Sequence, residues 1–276
     1  MTPFTPLQLP LDRRTVATFV KTDSPQVVEV LGLCGLDYVV LDAEHAPFDR
    51  QTMDRMVFAA RAVGLPMLVR IPDHRDATIL SVLDLGAHGI VVPHVDAASD
   101  AANVVAAARF VGGRRGMSLS ARFGGYGTRS RAEAVAEADR ALIVCQIESA
   151  AAVEAVAEIA AVPGVGGLLI GRADLAMSMG VDGPRHPQVL AAVDRVLAVA
   201  RAQRLPVVMA VGADSEVAEF AARGAQSFIV GSDQSLLRQA ASRLPQLLPD
   251  GSICRTPHPN PSPASGDGLK DLPRTS

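Results

Sequence analysis

The sequence predicts an α/β fold, a closed (β/α)8 TIM barrel, and three observations carry that prediction. Between Thr15 and Leu248, short β-branched or apolar runs alternate with Ala/Leu-rich helical segments, the order that builds a parallel sheet covered by helices. Eight such runs occur, the number at which this sheet closes on itself. Charged and polar residues gather directly after the runs, at what becomes one rim of the barrel.

The runs are Thr15–Val20, Asp37–Leu41, Pro66–Arg70, Gly89–Val92, Ala141–Gln146, Gly166–Ile170, Pro206–Ala210 and Ser227–Val230. They are nearly continuous in apolar residues, as parallel strands buried on both faces must be. Helical patterns lie between them at Thr52–Val63, Ala98–Phe110, Ala150–Ala160, Pro187–Gln203 and Asp214–Arg223. Gly35, Gly64, Gly86 and Gly224 precede strands where a helix must stop in the left-handed conformation. A doubly wound open sheet is the alternative architecture. It would carry a Gly-rich phosphate turn after its first strand, and Thr22-Asp23-Ser24-Pro25 is not one. The Gly- and Arg-rich stretch from Gly112 to Arg140 is a long excursion before the fifth strand, of a length expected to be functional or mobile. Residues 1–250 thus read as one barrel domain. The Pro/Ser/Gly-rich residues 251–276 read as a disordered tail.

Composition narrows the partners. A formal net charge of -3 supplies no electrostatic reason for nucleic acid or an acidic membrane. Aromatic residues are only 4% and Trp is absent, which removes the usual base-stacking platform. The three cysteines are odd in number, and Cys34 and Cys145 lie in apolar segments. Buried thiols in a reducing cytosol are the expectation. Residues 1–10 lack a signal-peptide pattern, and no apolar run reaches the roughly 18 to 20 residues that span a bilayer. The chain is expected to be cytoplasmic and to act on small molecules.

In a barrel the chemistry sits where strands end. The strand ends here carry Asp42-Ala43-Glu44-His45, Arg70, His94, Gln146-Ile147-Glu148 and Arg172-Ala173-Asp174. Two carboxylates at one rim repel unless a cation relieves them. Glu148 and Asp174, on consecutive strands, therefore point to a hard divalent metal, Mg2+ or Mn2+, with Co2+ as a further option. His45, three residues after Asp42, suits a general base held by a carboxylate. Glu44 either orients His45 or bonds to backbone. Arg70 can grip a carboxylate or stabilise an enolate oxygen. His94 reads equally as a site or a surface residue, whereas His74, His88, His186 and His258 read as exposed. Ser232 and Asp233 read as caps of the last helix. Of the two lysines, only Lys21 lies near a strand end, so a Schiff-base route stays open but narrow.

The motifs Asp42-Ala43-Glu44-His45-Ala46-Pro47, Val69-Arg70-Ile71-Pro72, Leu83-Asp84-Leu85-Gly86-Ala87, Arg115-Gly116, Gln146-Ile147-Glu148 and Gly171-Arg172-Ala173-Asp174-Leu175 resemble those of the HpcH/HpaI aldolases. These are class II pyruvate aldolases of the 4-hydroxy-2-oxoheptanedioate aldolase type. The resemblance spans roughly Thr15 to Leu248 and implies a phosphoenolpyruvate/pyruvate-type barrel. It implies Glu148 and Asp174 as metal ligands, Arg70 as enolate stabiliser, and Asp42 with His45 as the proton-transfer pair. Gln146 and the Ala173 backbone would seat the pyruvate carboxylate. Asp84 would reach a neighbouring subunit's site in a homo-oligomer, commonly a hexamer built through exchanged C-terminal helices. Three departures stand out: Arg172 replaces a usual Pro, Ala176 a frequent Ser, and Val111-Gly112 a Pro-Pro pair. They bear on substrate identity more than on reaction type.

The expected activity is reversible cleavage of a 4-hydroxy-2-oxo acid to pyruvate and an aldehyde. A CoA-ester lyase of the citrate or malyl type is the enzymatic alternative. A non-catalytic 2-keto-acid-binding relative is the other.

Overall fold

The computed structural model describes residues 6–212 and 214–247; the expected tail, residues 251–276, lies outside them. Eight parallel strands form a closed barrel in sequence order: β1 (Thr15–Val20), β2 (Tyr38–Asp42), β3 (Met67–Arg70), β4 (Gly89–Val92), β5 (Leu142–Ile147), β6 (Gly167–Ile170), β7 (Val207–Val211) and β8 (Ser227–Ser232). Closure comes from β1 pairing with β8, in register at Thr15↔Ser227 and shifted by one residue before Phe19↔Ser232.

Alternation along the strands sorts side chains into two layers. Ala17, Tyr38, Val40, Leu68, Val91, Val144, Leu169, Val208 and Ile229 fill the barrel interior. Their neighbours Val39, Leu41, Met67, Val69, Ile90, Val92 and Ile143 face the helices. The interior is therefore packed, and the same parity places the next inward position of each strand at the rim. Inside the barrel Tyr38 Oη and Thr15 Oγ1 both meet Ser227 Oγ at 2.7 Å. Burial raises the Tyr38 phenol well above its ordinary range.

The outer layer comprises α1 (Pro25–Gly32), α2 (Arg50–Ala62), α3 (Asp76–Asp84), α4 (Ala98–Ala108), α5 (Arg131–Ala138), α6 (Ala150–Glu154), α7 (Val156–Ala160), α8 (Arg172–Ser178), α9 (Pro187–Gln203) and α10 (Asp214–Arg223), and α11 (Asp233–Ala241) follows β8 in sequence. The single helix expected over Ala150–Ala160 is two short ones meeting at Ala155, whose ψ of 7° leaves the helical range. The excursion after α4 is packed. It holds a 3-10 segment at Arg122–Gly127 and α5, and Phe123, Ala134 and Ala138 form its own small core.

Several surface expectations are corrected. Cys34 is exposed, one residue beyond the C-cap of α1, whereas Cys145 is buried and burial raises its thiol to about 12. His88 is buried at 7% exposure, where its Nδ1 accepts the Met67 N–H at 3.2 Å. Asp233 does more than cap, because its carboxylate accepts the Lys21 and Thr22 N–H groups at 2.9 Å each.

By compactness the chain divides into Met1–Ser235 and Leu236–Ser276. In the second unit, the described residues end in a 3-10 turn at Leu244–Leu247, and Leu237, Leu244 and Leu247 are exposed. Among the described residues no helix is long and apolar enough to cross a membrane.

Candidate active site

Strand parity delivers the site. Continuing inward from Tyr38 and Val40 comes Asp42, and from Leu68 comes Arg70; the two are direct neighbours across β2 and β3. Asp42 is fully buried and binds Arg70 in two-point geometry, Nε at 2.9 Å and Nη2 at 2.7 Å. Lys21, the inward position after Ala17 and Phe19 on β1, places Nζ 2.9 Å from Asp42 Oδ2. Burial pushes the Asp42 carboxyl upward, but the hydrogen bonds and charge of Arg70, joined by Lys21, outweigh it and hold the group at about 2. The Arg70 guanidinium also lies over the Phe19 ring, 4.7 Å from its centre.

The expected pairing of Asp42 with the His45 imidazole does not form. Asp42 Oδ1 accepts the His45 backbone N–H at 3.2 Å, since both carboxylate oxygens are already engaged by cations. The His45 ring is half-exposed and faces Glu44 instead, Nε2 to Oε2 at 3.7 Å.

On the other side of Arg70 the arc turns acidic. Glu44 Oε2 lies 3.2 Å from Arg70 Nε, yet the contact lacks hydrogen-bond alignment and the oxygen is buried without another bond. Burial raises the Glu44 carboxyl, with the Glu148 charge adding to the rise and Arg70 opposing it. His94 bridges the two acids, Nε2 3.3 Å from Glu44 Oε1 and Nδ1 3.1 Å from Glu148 Oε1. Glu148 is buried at 3% exposure, its Oε1 accepts the His94 N–H at 2.7 Å, and Gln146 Nε2 donates to Oε2. Gln146 Oε1 is buried with no hydrogen-bond partner among the described residues. Gly171, after β6, closes this side. A Cβ there would stand 2.9 Å from Glu148 Cβ and Oε2, so only glycine permits the approach.

A continuous chain of side chains, Lys21–Asp42–Arg70–Glu44–His94–Glu148–Gln146, thus follows the rim across five strand ends, each link 3.3 Å or shorter. Ala173 and Asp174 lie in the first turn of α8, and both are exposed. Asp84 stands apart from the arc: it ends α3 and accepts from Arg115 Nη2 at 2.8 Å. Arg172 turns away, with Nη1 2.9 Å from Glu216, Nη2 donating to the Ala210 carbonyl, and its guanidinium 4.5 Å from the Phe220 ring centre. Lys21, Glu44 and His94 are the members the motif reading left open. Strand parity singles out the first two, and nothing local in the sequence singles out the third.

The donor chemistry fits a hard divalent cation. Two mutually repelling carboxylates and an orphaned buried oxygen of Glu44 face one rim. Among the described residues no three His, Cys, Asp or Glu side chains form a ready-made cage, so a cation here would draw further ligands from substrate and water.

The profile of the HpcH/HpaI aldolase/citrate lyase family matches residues 15–240. The chain belongs to that family. As an HpcH/HpaI enzyme it falls in the carbon–carbon lyase class. It is 35% identical over 223 residues to the 5-keto-4-deoxy-D-glucarate aldolase of Klebsiella pneumoniae, covering 80% of this chain and 87% of that one. Among solved structures, an HpcH/HpaI aldolase/citrate lyase family protein of Burkholderia cenocepacia is 31% identical with a TM-score of 0.82, over 85% of this chain and 94% of that one. An HpcH/HpaI aldolase of Desulfitobacterium hafniense is 29% identical with a TM-score of 0.79, over 84% and 91%.

Proposed function

We propose that this HpcH/HpaI enzyme is a divalent-metal-dependent aldolase that reversibly cleaves a 4-hydroxy-2-oxo acid to pyruvate and an aldehyde. The observation that carries the reading is the rim arc itself, in which the cations Lys21 and Arg70, both held by buried Asp42, meet an acidic pair at Glu44. An oxyanion and a metal are served by opposite halves of one short chain of contacts. The 5-keto-4-deoxy-D-glucarate aldolase relative supports an oxidised sugar acid as the substrate class.

In this reading Glu148 and Asp174 hold the cation, Mg2+, Mn2+ or Co2+, which supplies Lewis-acid polarisation of the 2-keto group. Gln146 and the Ala173 backbone seat the substrate carboxylate; the free Oε1 of Gln146 leaves that amide with unused capacity. His45 accepts the 4-hydroxyl proton, with Glu44 as its carboxylate neighbour. The C3–C4 bond then breaks, and its electron pair moves toward the 2-oxygen. Arg70, immobilised by Asp42, stabilises the negative charge that develops there. Returning a proton to C3 completes pyruvate. Asp84 acting at a neighbouring subunit's site in a homo-oligomer, and a cytoplasmic setting, belong to the same proposal.

The test is retro-aldol release of pyruvate from a panel of 4-hydroxy-2-oxo acids, with and without chelation. Activity is expected to vanish on metal removal and return on metal addition, and Glu148→Gln is expected to lose it permanently. Full turnover after rigorous metal removal overturns the reading, as does competition by acetyl-CoA with none by pyruvate.

A further inference from the structure

We propose that Lys21 sets the specificity for the aldehyde half of the substrate, its ammonium pairing with a carboxylate at the end remote from the pyruvate carbons. The inference rests on the aldolase reading above and gives a role to a part of the rim that the reading leaves unused.

Three observations carry it. The first is a surplus of charge. Two cations, Arg70 and Lys21, share the single carboxylate of Asp42. Its oxygens are spent: Oδ1 accepts Arg70 Nε at 2.9 Å and the His45 N–H at 3.2 Å, and Oδ2 lies 2.7 Å from Arg70 Nη2 and 2.9 Å from Lys21 Nζ. Arg70 has Glu44 on its other flank. Among the described residues Lys21 Nζ pairs with no acid but Asp42. The carboxylate of Asp233, after β8, is taken by the backbone N–H groups of Lys21, Thr22 and Gln234. An ammonium has three donors, so most of its bonding capacity is left for a solute.

The second observation is access. The Lys21 side chain is 27% exposed and that of Asp42 is 0% exposed, so a solute reaches the cation but not its counter-charge. The Phe19 ring lies beneath both cations, its centre 5.9 Å from Lys21 Nζ and 4.7 Å from the Arg70 guanidinium carbon. A carboxylate arriving over this apolar floor meets less water than on an open surface, and a charge-assisted bond gains strength accordingly.

Order around the rim is the third. Glu148 follows β5, Arg70 ends β3, His45 follows β2 and Lys21 follows β1, and the closed ring of eight sets β1 opposite β5. The proposed reaction lays the 2-oxo group between Glu148 and Arg70 and the 4-hydroxyl at His45. The chain beyond C4 then continues toward β1, where Lys21 stands.

The experiment uses the full chain with Mn2+, run in the direction of synthesis. Pyruvate is joined to 4-oxobutanoate or to butanal, aldehydes of equal carbon number that differ in a terminal carboxylate. The readout is the ratio of kcat/KM for the two aldehydes in wild type, Lys21→Met and Lys21→Arg. Any damage transmitted through Asp42 and Arg70 strikes both aldehydes and cancels in that ratio. Wild type is expected to favour 4-oxobutanoate by about tenfold or more. Lys21→Met should lower the ratio by about tenfold or more, chiefly through KM for 4-oxobutanoate, and Lys21→Arg should hold it within about threefold. Should Lys21→Met fail to fold, Lys21→Gln, which can still donate to Asp42, carries the same comparison. A ratio that survives loss of the ammonium overturns the proposal, and so does a loss that Lys21→Arg shares in full. Product formed equally well from both aldehydes by wild type removes the role of Lys21 and leaves the aldolase reading standing. Absence of product from either aldehyde removes both.

Discussion

Asp42 is the residue on which the cationic half of the site depends. It is fully buried and binds Arg70 at two points and Lys21 at one. Removing one member of such a group leaves buried charge without a partner, which costs far more than the intact pair contributes. Asp42→Asn is therefore expected to lower folding stability by about 3 kcal/mol in urea unfolding and to lower kcat through a displaced Arg70. A loss under about 0.5 kcal/mol contradicts this account. Gly171→Ala works differently. Its new Cβ would meet Glu148 at 2.9 Å, so a kcat/KM loss of about a hundredfold is expected with a melting temperature that changes little. These residues differ in how far the sequence exposes them. Lys21, Asp42, Glu44, Arg70, Gln146 and Glu148 all continue the inward parity of their strands, so period-two reading reaches them. His94 escapes that reading because a left-handed φ is not encoded in any local residue pattern. The orientation of the His45 ring escapes it for another reason, namely that Arg70 and Lys21 occupy the Asp42 oxygens through contacts distant in sequence.

Among the elements, the barrel strands were legible to within one or two residues at each end, because a continuous apolar run admits little else. The excursion between α4 and β5 was legible only as a length. Its order comes from long-range contacts. The Arg115 guanidinium lies between Phe110 and Phe123, 4.5 and 4.8 Å from their ring centres, and pairs with Asp84 on α3. Arg129 and Glu137 close its far side with two bonds of 2.7 Å. Neither contact follows from helical or strand periodicity. Arg115→Ala is expected to loosen this element as a unit. Hydrogen exchange should accelerate about tenfold or more across residues 110–138, while β1–β3 and β7–β8 keep their protection. Acceleration spread evenly over the barrel would mean that the excursion is integral to the main core instead. Arg172 makes the same point from the other direction. Its place in the motif suggests the substrate, but the Phe220 ring and Glu216 on α10 take its side chain into the helical layer.

For the molecule as a whole, two buried titratable groups set the response to acid, and they lie at opposite ends of the barrel. His88 precedes β4 at the end away from the site; burial, with Arg61 nearby, lowers its pKa from the usual 6.5 to about 4. The unfolded chain takes up that proton first as pH falls. The stability contributed by neutral His88 is therefore complete above pH 6.5 and drains away down to about pH 4, a total of roughly 3 kcal/mol. Asp42 follows, since its pKa falls from 3.8 unfolded to about 2 folded. Its contribution is present above pH 3.8 and is lost as pH approaches 2, a further 2 kcal/mol or about that. Urea midpoints measured from pH 8 to pH 3 should thus show a first decline that His88→Asn flattens. The amide oxygen of Asn can accept the Met67 N–H in place of Nδ1 without acquiring a charge. Turnover, which depends on the opposite rim, should not follow that first limb in the variant. A decline between pH 6.5 and 4 that His88→Asn leaves intact would assign the acid response to other carboxylates, and the buried imidazole would then be a packing residue alone.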